Sequence, residues 1–98
     1  MEVIDGYTFE DALKDGLVVL VREDTFQGIK IRYIVSRDTY YRFGDKDTLY
    51  RIMKQQAGKQ WKARKEFDVF EVDGDKYFMS ISSDDKGPIF YMATLEEY

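Results

Sequence analysis

The sequence predicts an α+β fold: a largely antiparallel sheet of about five to six strands with two helices packed on one face. Three observations carry this. Period-two alternation recurs, as in Ile29, Ile31, Tyr33 and Val35 against Lys30, Arg32 and Ser36. Two stretches with apolar residues at helical spacing lie between a capping residue and a glycine. Tight turn signals, Asp73-Gly74 above all, join neighbouring strands, and strands joined by a two-residue turn pair antiparallel.

The elements follow in order. Thr8 can cap a first helix, with Asp11 three residues on completing a capping box, while Phe9, Ala12 and Leu13 share a face and Gly16 ends the turn. Leu17-Val18-Val19-Leu20-Val21 is an unbroken apolar run, read as a central strand covered on both faces. A turn near Gln27-Gly28 leads into the alternating strand that starts at Ile29. Tyr40, Tyr41 and Phe43 suggest a third, short strand. Asp45 or Asp47 caps the second helix, whose Leu49, Ile52, Met53 and Ala57 precede a stop at Gly58. From Trp61 onward, Trp61, Ala63, Phe67 and Val69 alternate with charged residues, and Phe70 and Val72 take the opposite parity, which a bulge near Phe70 would explain. Tyr77, Met79 and Ile81 form the returning strand of the Asp73-Gly74 hairpin. Ser82 to Pro88 reads as a polar loop, Ile89 to Thr94 as the last strand, and residues 95–98 as a flexible tail on a single domain spanning 1–98.

Composition narrows the chemistry. The chain has no histidine and no cysteine, which removes Ser-His-Asp and Cys-His catalysis, thiolate zinc sites and disulfides. No side chain has an ordinary pKa near neutrality. The expectation is a protein that is not an enzyme and carries no cofactor. Apolar residues make up 44% of the chain, with one tryptophan, eight tyrosines and seven phenylalanines, enough for a core. No window approaches the roughly 20 apolar residues of a membrane span, and no signal-peptide pattern opens the chain, so a cytoplasmic location in the host cell is expected.

The net charge of −4 conceals a strong asymmetry. Between Arg51 and Lys65 lie six bases and no acid, whereas the remainder holds nine bases and nineteen acids, a net −10. Arg51, Lys54, Lys62 and Arg64 beside Trp61 form a candidate anion-binding patch, able to hold a phosphate or stack a base. Basic residues near a helix C-terminus also complement its dipole, which is the structural explanation of the same run. The second candidate surface is acidic: Asp45, Asp47, Asp73, Asp75, Asp84 and Asp85 fall at turns, with Tyr40 and Tyr91 as interface anchors, and Glu2 and Asp5 add to the charge. Caps and hairpins favour Asp for local reasons as well. The pairs Asp45/Asp47 and Asp73/Asp75 lack the spaced oxygens and closing glutamate of a calcium loop, so no metal is expected.

Thr8-Phe9-Glu10-Asp11-Ala12-Leu13-Lys14-Asp15-Gly16, followed by a strand reaching Arg22, resembles the N-terminal helix and first strand of small phage proteins that sequester a cyclic ADP-ribose signal and block Thoeris defence. The resemblance covers about fifteen residues; the Gly-Trp and Asp-Trp of that family have no counterpart here, and no ligand-binding residue is carried over. It implies a phage or mobile-element accessory protein. The expected function is therefore a non-catalytic inhibitor that binds a host protein, such as a defence or nucleic-acid-processing enzyme, through the acidic surface. The alternative is a binding module or sponge for a nucleotide signal or nucleic acid through residues 51–65. Either form is compatible with an oligomer.

Overall fold

A computed structural model describes residues 6–98. Glu2 and Asp5 lie outside the described residues. The order is α1 (Phe9–Lys14), β1 (Val18–Phe26), β2 (Ile29–Ser36), α2 (Arg37–Phe43), α3 (Lys46–Ala63), β3 (Phe67–Val72), β4 (Asp75–Asp84), β5 (Gly87–Thr94) and a short 3-10 turn, Leu95–Glu97. The five strands make one sheet in the order β1-β2-β5-β4-β3. Every neighbouring pair is antiparallel except β2 and β5, which run parallel because α2 and α3 carry the chain back across the sheet.

Local chemistry sets the boundaries. Thr8 and Asp11 form the expected capping box: the Asp11 N–H donates to the Thr8 hydroxyl at 3.2 Å and the Thr8 N–H donates to the Asp11 carboxylate at 3.0 Å. The bond from the Thr8 N–H and, after it, one that the Thr8 hydroxyl donates to the same carboxylate at 3.1 Å hold the Asp11 carboxyl below its ordinary range. Gln27-Gly28 and Asp73-Gly74 both take positive φ at each residue, the signature of type I′ turns that match the twist of a hairpin.

Each face of the sheet has its own core. Val21, Tyr33, Val35, Met79, Phe90 and Met92 pack under α3 through Leu49, Met53 and Ala57. On the other face Val18, Ile34, Phe78, Ile89 and Tyr91 pack under α1 through Ala12. The helices on one face are thus α2 and α3, and α1 takes the opposite one. This arrangement corrects the reading of the run at Leu17–Val21. It is apolar because β1 is covered above and below, yet β1 is an edge strand, not a central one.

Four further segments depart from expectation. Tyr40, Tyr41 and Phe43 lie in α2, which the Ser36 hydroxyl caps by accepting the Thr39 N–H at 3.2 Å; this local start outweighs aromatic β-propensity. Trp61 and Ala63 belong to α3, which runs through Gly58 and ends at Arg64 in the left-handed conformation. Phe67 and Val69 therefore begin a regular β3 with unbroken register against β4, and no bulge occurs at Phe70. Ser82 to Pro88 is a continuation of the β4–β5 hairpin, closed by Asp85 and Lys86. Residues 95–97 form the 3-10 turn, in which the Glu97 carboxylate accepts hydrogen bonds from the Ser36 hydroxyl and from the Thr94 N–H and hydroxyl.

Candidate functional site

The extension of α3 past Gly58 is the decisive local event. A glycine in a helix interior costs about 1 kcal/mol relative to alanine, so something beyond propensity must hold the last turn. Gln60 supplies it. Its buried side-chain amide donates to the Met79 carbonyl at 3.2 Å and the Lys65 carbonyl at 3.3 Å, and accepts from Gln56 at 3.1 Å. The Gln56 amide also donates to the Asp68 carboxylate at 3.1 Å, tying α3 to β3. With the helix pinned this way, Trp61 projects into solvent, 69% exposed.

Lys54, Gly58 and Trp61 follow one another at helical spacing and face the tip of the β1–β2 hairpin. That tip is shaped by a bulge in β1. The register slips between Leu20 and Arg22, so Arg22, Asp24 and Phe26 stand opposite Tyr33, Ile31 and Ile29 on the α3 face. Without the bulge, strict alternation from Val19 would send Phe26 to the other side of the sheet. Phe26 is 62% exposed and Ile29 is 51% exposed. Together with Trp61 they border a groove of about 550 Å³, floored by Ile31, Tyr33, Ala57 and Phe90 and rimmed by Lys54 and Lys62. Among the described residues, no acid lines it. At its upper end Tyr50 is fixed by donating to Asp24 at 2.5 Å, with the Arg22 guanidinium 4.4 Å from its ring centre.

A second cleft of about 620 Å³ opens on the opposite side of Trp61, lined by Gln60, Arg64, Lys65, Glu66, Ile81, Ser82 and Ser83. Trp61 and Pro88 form the wall common to both. Among the described residues the ion pairs engage Arg22, Lys30, Arg32, Arg42 and Lys86. None engages Arg51, Lys54, Lys59, Lys62, Arg64 or Lys65. In a chain with an excess of acid, the six cations of this segment have no carboxylate partner among the described residues.

The sequence-predicted basic patch is therefore redistributed. Lys54, Lys62 and Trp61 share the apolar groove, Arg64 belongs to the second cleft, and Arg51 lies toward the N-terminal half of α3, where its charge helps depress the Asp45 carboxyl. Lys62 and Arg64 were expected on one strand face; both instead sit at the helix end.

The acidic surface divides in two. Asp45 and Asp47 at the start of α3 and Asp73 and Asp75 at the β3–β4 turn lie at one end of the molecule, where Arg42 reaches Asp75 at 3.7 Å and Phe43 packs on Tyr77 at 5.7 Å. Asp84 and Asp85 close the hairpin at the other end. Asp45 is engaged locally: its carboxylate accepts from the Thr48 hydroxyl at 2.8 Å and the Asp47 N–H at 3.0 Å, which lowers its pKa. Asp84 is also committed, because the buried Arg32 guanidinium donates to it and to the Gly87 carbonyl at 3.1 Å, and the Arg32 hydrogen bond holds the Asp84 carboxyl below its ordinary range. Tyr91 is buried in the core beneath α1, and burial pushes its phenol up to about 12. Tyr40 packs against the other core, leaving Tyr41, 69% exposed, as the ring on the surface. Tyr91 is therefore out of reach of a partner, and Asp84, though exposed, is already paired with Arg32.

Sequence reasoning missed Phe26 and Ile29, the cross-strand pair flanking the Gln27-Gly28 turn. Their apolar character beside a turn was the available signal; the bulge that aims Phe26 was not visible.

Compared with family models, with curated proteins and with solved structures, the chain matches none. Among the described residues, no group of three or more acids stands close enough to hold a metal ion, and no helix is long and apolar enough to cross a membrane.

Proposed function

We propose that this chain is a non-catalytic protein-binding module of the inhibitor kind, and that it holds its partner in the groove between α3 and the β1–β2 hairpin. One observation carries the reading: three large apolar side chains, Phe26, Ile29 and Trp61, stand more than half exposed around a single concavity. Scattered surface hydrophobics are ordinary, but a contiguous apolar patch rimmed by charge marks an interaction site. Trp is also the residue most enriched among interface anchors. The lack of His and Cys supports binding without turnover. The N-terminal resemblance favours a host defence or nucleic-acid-processing protein as the target class.

The test is affinity capture from the native host with three baits: wild type, Phe26→Ser/Trp61→Ala, and Asp73→Lys/Asp75→Lys. A partner held by wild type and by the charge-reversed bait, and lost with the groove variant, supports the assignment. Loss with the Asp73/Asp75 variant alone moves the contact surface to the acidic end.

A second reading has its own observation: Lys54, Lys62, Arg64 and Lys65 line the two clefts that the exposed Trp61 walls, and none has a carboxylate partner among the described residues. Bases stack on such a ring, and Lys62, Arg64 and Lys65 can meet phosphates. The protein reading is preferred because the groove floor is apolar and offers few donors to a base edge. A gel shift with oligo(dT) and oligo(rU) at two salt concentrations separates them, since phosphate contacts weaken steeply with salt.

A further inference from the structure

Resting on the groove as the contact surface, we infer that its occupant is an acidic amphipathic helix of the partner protein. The floor is the face of β2 and β5, interior strands whose ladder bonds are already exchanged on both sides within the sheet. An extended segment laid on that face would find no pairing for its own N–H and C=O groups, whereas a helix satisfies them internally.

The layer itself is incomplete at this place. α2 and α3 cover the sheet on this side as far as Tyr33 and Phe90, and the hairpin tip beyond them carries Phe26 and Ile29 uncovered. A further helix set beside α3 would close the layer at the usual interaxial distance of about 8–10 Å. The α3 flank it would meet is low: Ala57 is small, and a Cβ placed on Gly58 would touch nothing within 4 Å. Trp61 forms the end wall.

Charge then selects the sign of the helix. Lys54 and Lys62 are two helical turns apart on the rim, about 12 Å along the axis. Neither has a carboxylate partner among the described residues, and the groove contains no acid. Two carboxylates flanking an apolar stripe, two turns apart on the incoming helix, would complete both pairs. The chain outside residues 51–65 carries −10 and disfavours such a helix elsewhere, while the second cleft sets Glu66 beside Arg64 and Lys65.

The probes are two blocked 18-residue peptides with leucine at i, i+3, i+4 and i+7 spacing, one with glutamate and one with lysine at the flanking positions, neither containing tryptophan. Trp61 is the chain's single tryptophan, so its emission reports on the two clefts it walls, and Phe26→Ser/Ile29→Ser, which alters only this groove, tells them apart. The glutamate peptide is expected to shift that emission to shorter wavelength saturably and to gain helical circular dichroism. The lysine peptide should bind at least about tenfold more weakly, and Lys54→Glu/Lys62→Glu should reverse the order. An unmoved Trp61 emission, a preference insensitive to that charge reversal, or binding that survives Phe26→Ser/Ile29→Ser overturns the inference. If the groove variant nevertheless loses its captured host partner, the groove stands and only the helix falls. If capture is also unaffected, both fall.

Discussion

Gly87 opens β5 with φ +132°, and a Cβ built there would fall far inside van der Waals distance of the Lys30 carbonyl oxygen and 3.3 Å from the Ile29 methyl. The oxygen is part of the β2 backbone and cannot rotate away as a side chain would. Gly87→Ala therefore combines two penalties, while Gly74→Ala, at φ +87° with nothing within 4 Å, carries only the first. Backbone strain of a non-glycine residue at positive φ costs about 1–2 kcal/mol, and forcing an atom into filled space costs about 1–3 kcal/mol more. Chemical denaturation of wild type and both variants gives the comparison, because a domain of this size is expected to unfold in one step. Gly87→Ala should lose about 1–3 kcal/mol more than Gly74→Ala, or several degrees to about 20 °C of Tm at ~4–8 °C per kcal/mol. It should also loosen the Arg32 contact to the Gly87 carbonyl and the Pro88 wall of the groove. Equal losses in the two variants would refute the close approach of β5 to β2.

Three further outcomes follow from the polar contacts. Gln60→Leu should cost about 1–3 kcal/mol, the penalty for buried groups left without partners, and should restore solvent exchange to the amides of the last turn of α3, as hydrogen exchange would record; Gln60→Glu should not rescue it. Asp84 has a folded pKa below its ordinary value, so its contribution is fully present above about pH 4 and fades as pH falls through the folded value. Asp84→Asn should therefore flatten the acid side of the urea-midpoint profile, and an unchanged profile would dissociate Asp84 from Arg32. The phenols of Tyr33 and Tyr91, pushed up to about 12 mainly by burial, should titrate late, with stability declining as pH rises from about 10 toward 12; phenolate absorbance in native and urea-unfolded protein checks this.

Turns and caps were readable because their chemistry is confined to two or three residues: Thr8 with Asp11, Asp73 with Gly74, Gln27 with Gly28. The end of α3 was not, because Trp61, Ala63, Phe67 and Val69 share one parity, interrupted only by Lys65, and imitate a strand, while the force that keeps the helix intact is the long-range bond from Gln60 to Met79. The misplaced α2 had local signals, the Ser36 cap and a left-handed Gly44, which the aromatic run overshadowed. For β1 the apolar run correctly implied two covered faces, and the error was to equate burial with a central place in the sheet. At the site, the basic segment and Trp61 were visible in the sequence. The apolar half was not, since one extra residue in β1 decides where Phe26 points.

The strand order has a consequence for how the molecule comes together. β5 is the last strand in the chain and yet sits between β2 and β4, so the β1–β2 and β3–β4 hairpins share no ladder until it arrives. Each hairpin closes through contacts near in sequence, whereas joining them waits on residues some fifty positions downstream of β2. Until then α3 rests on two unconnected halves, and the surface that β5 will cover, Tyr33 and Ile34 on one side and Phe78 and Met79 on the other, stays open to solvent. Assembly is therefore gated by the final eight-residue strand, and a nascent or truncated chain lacking it would present two sticky inner edges in place of one continuous sheet.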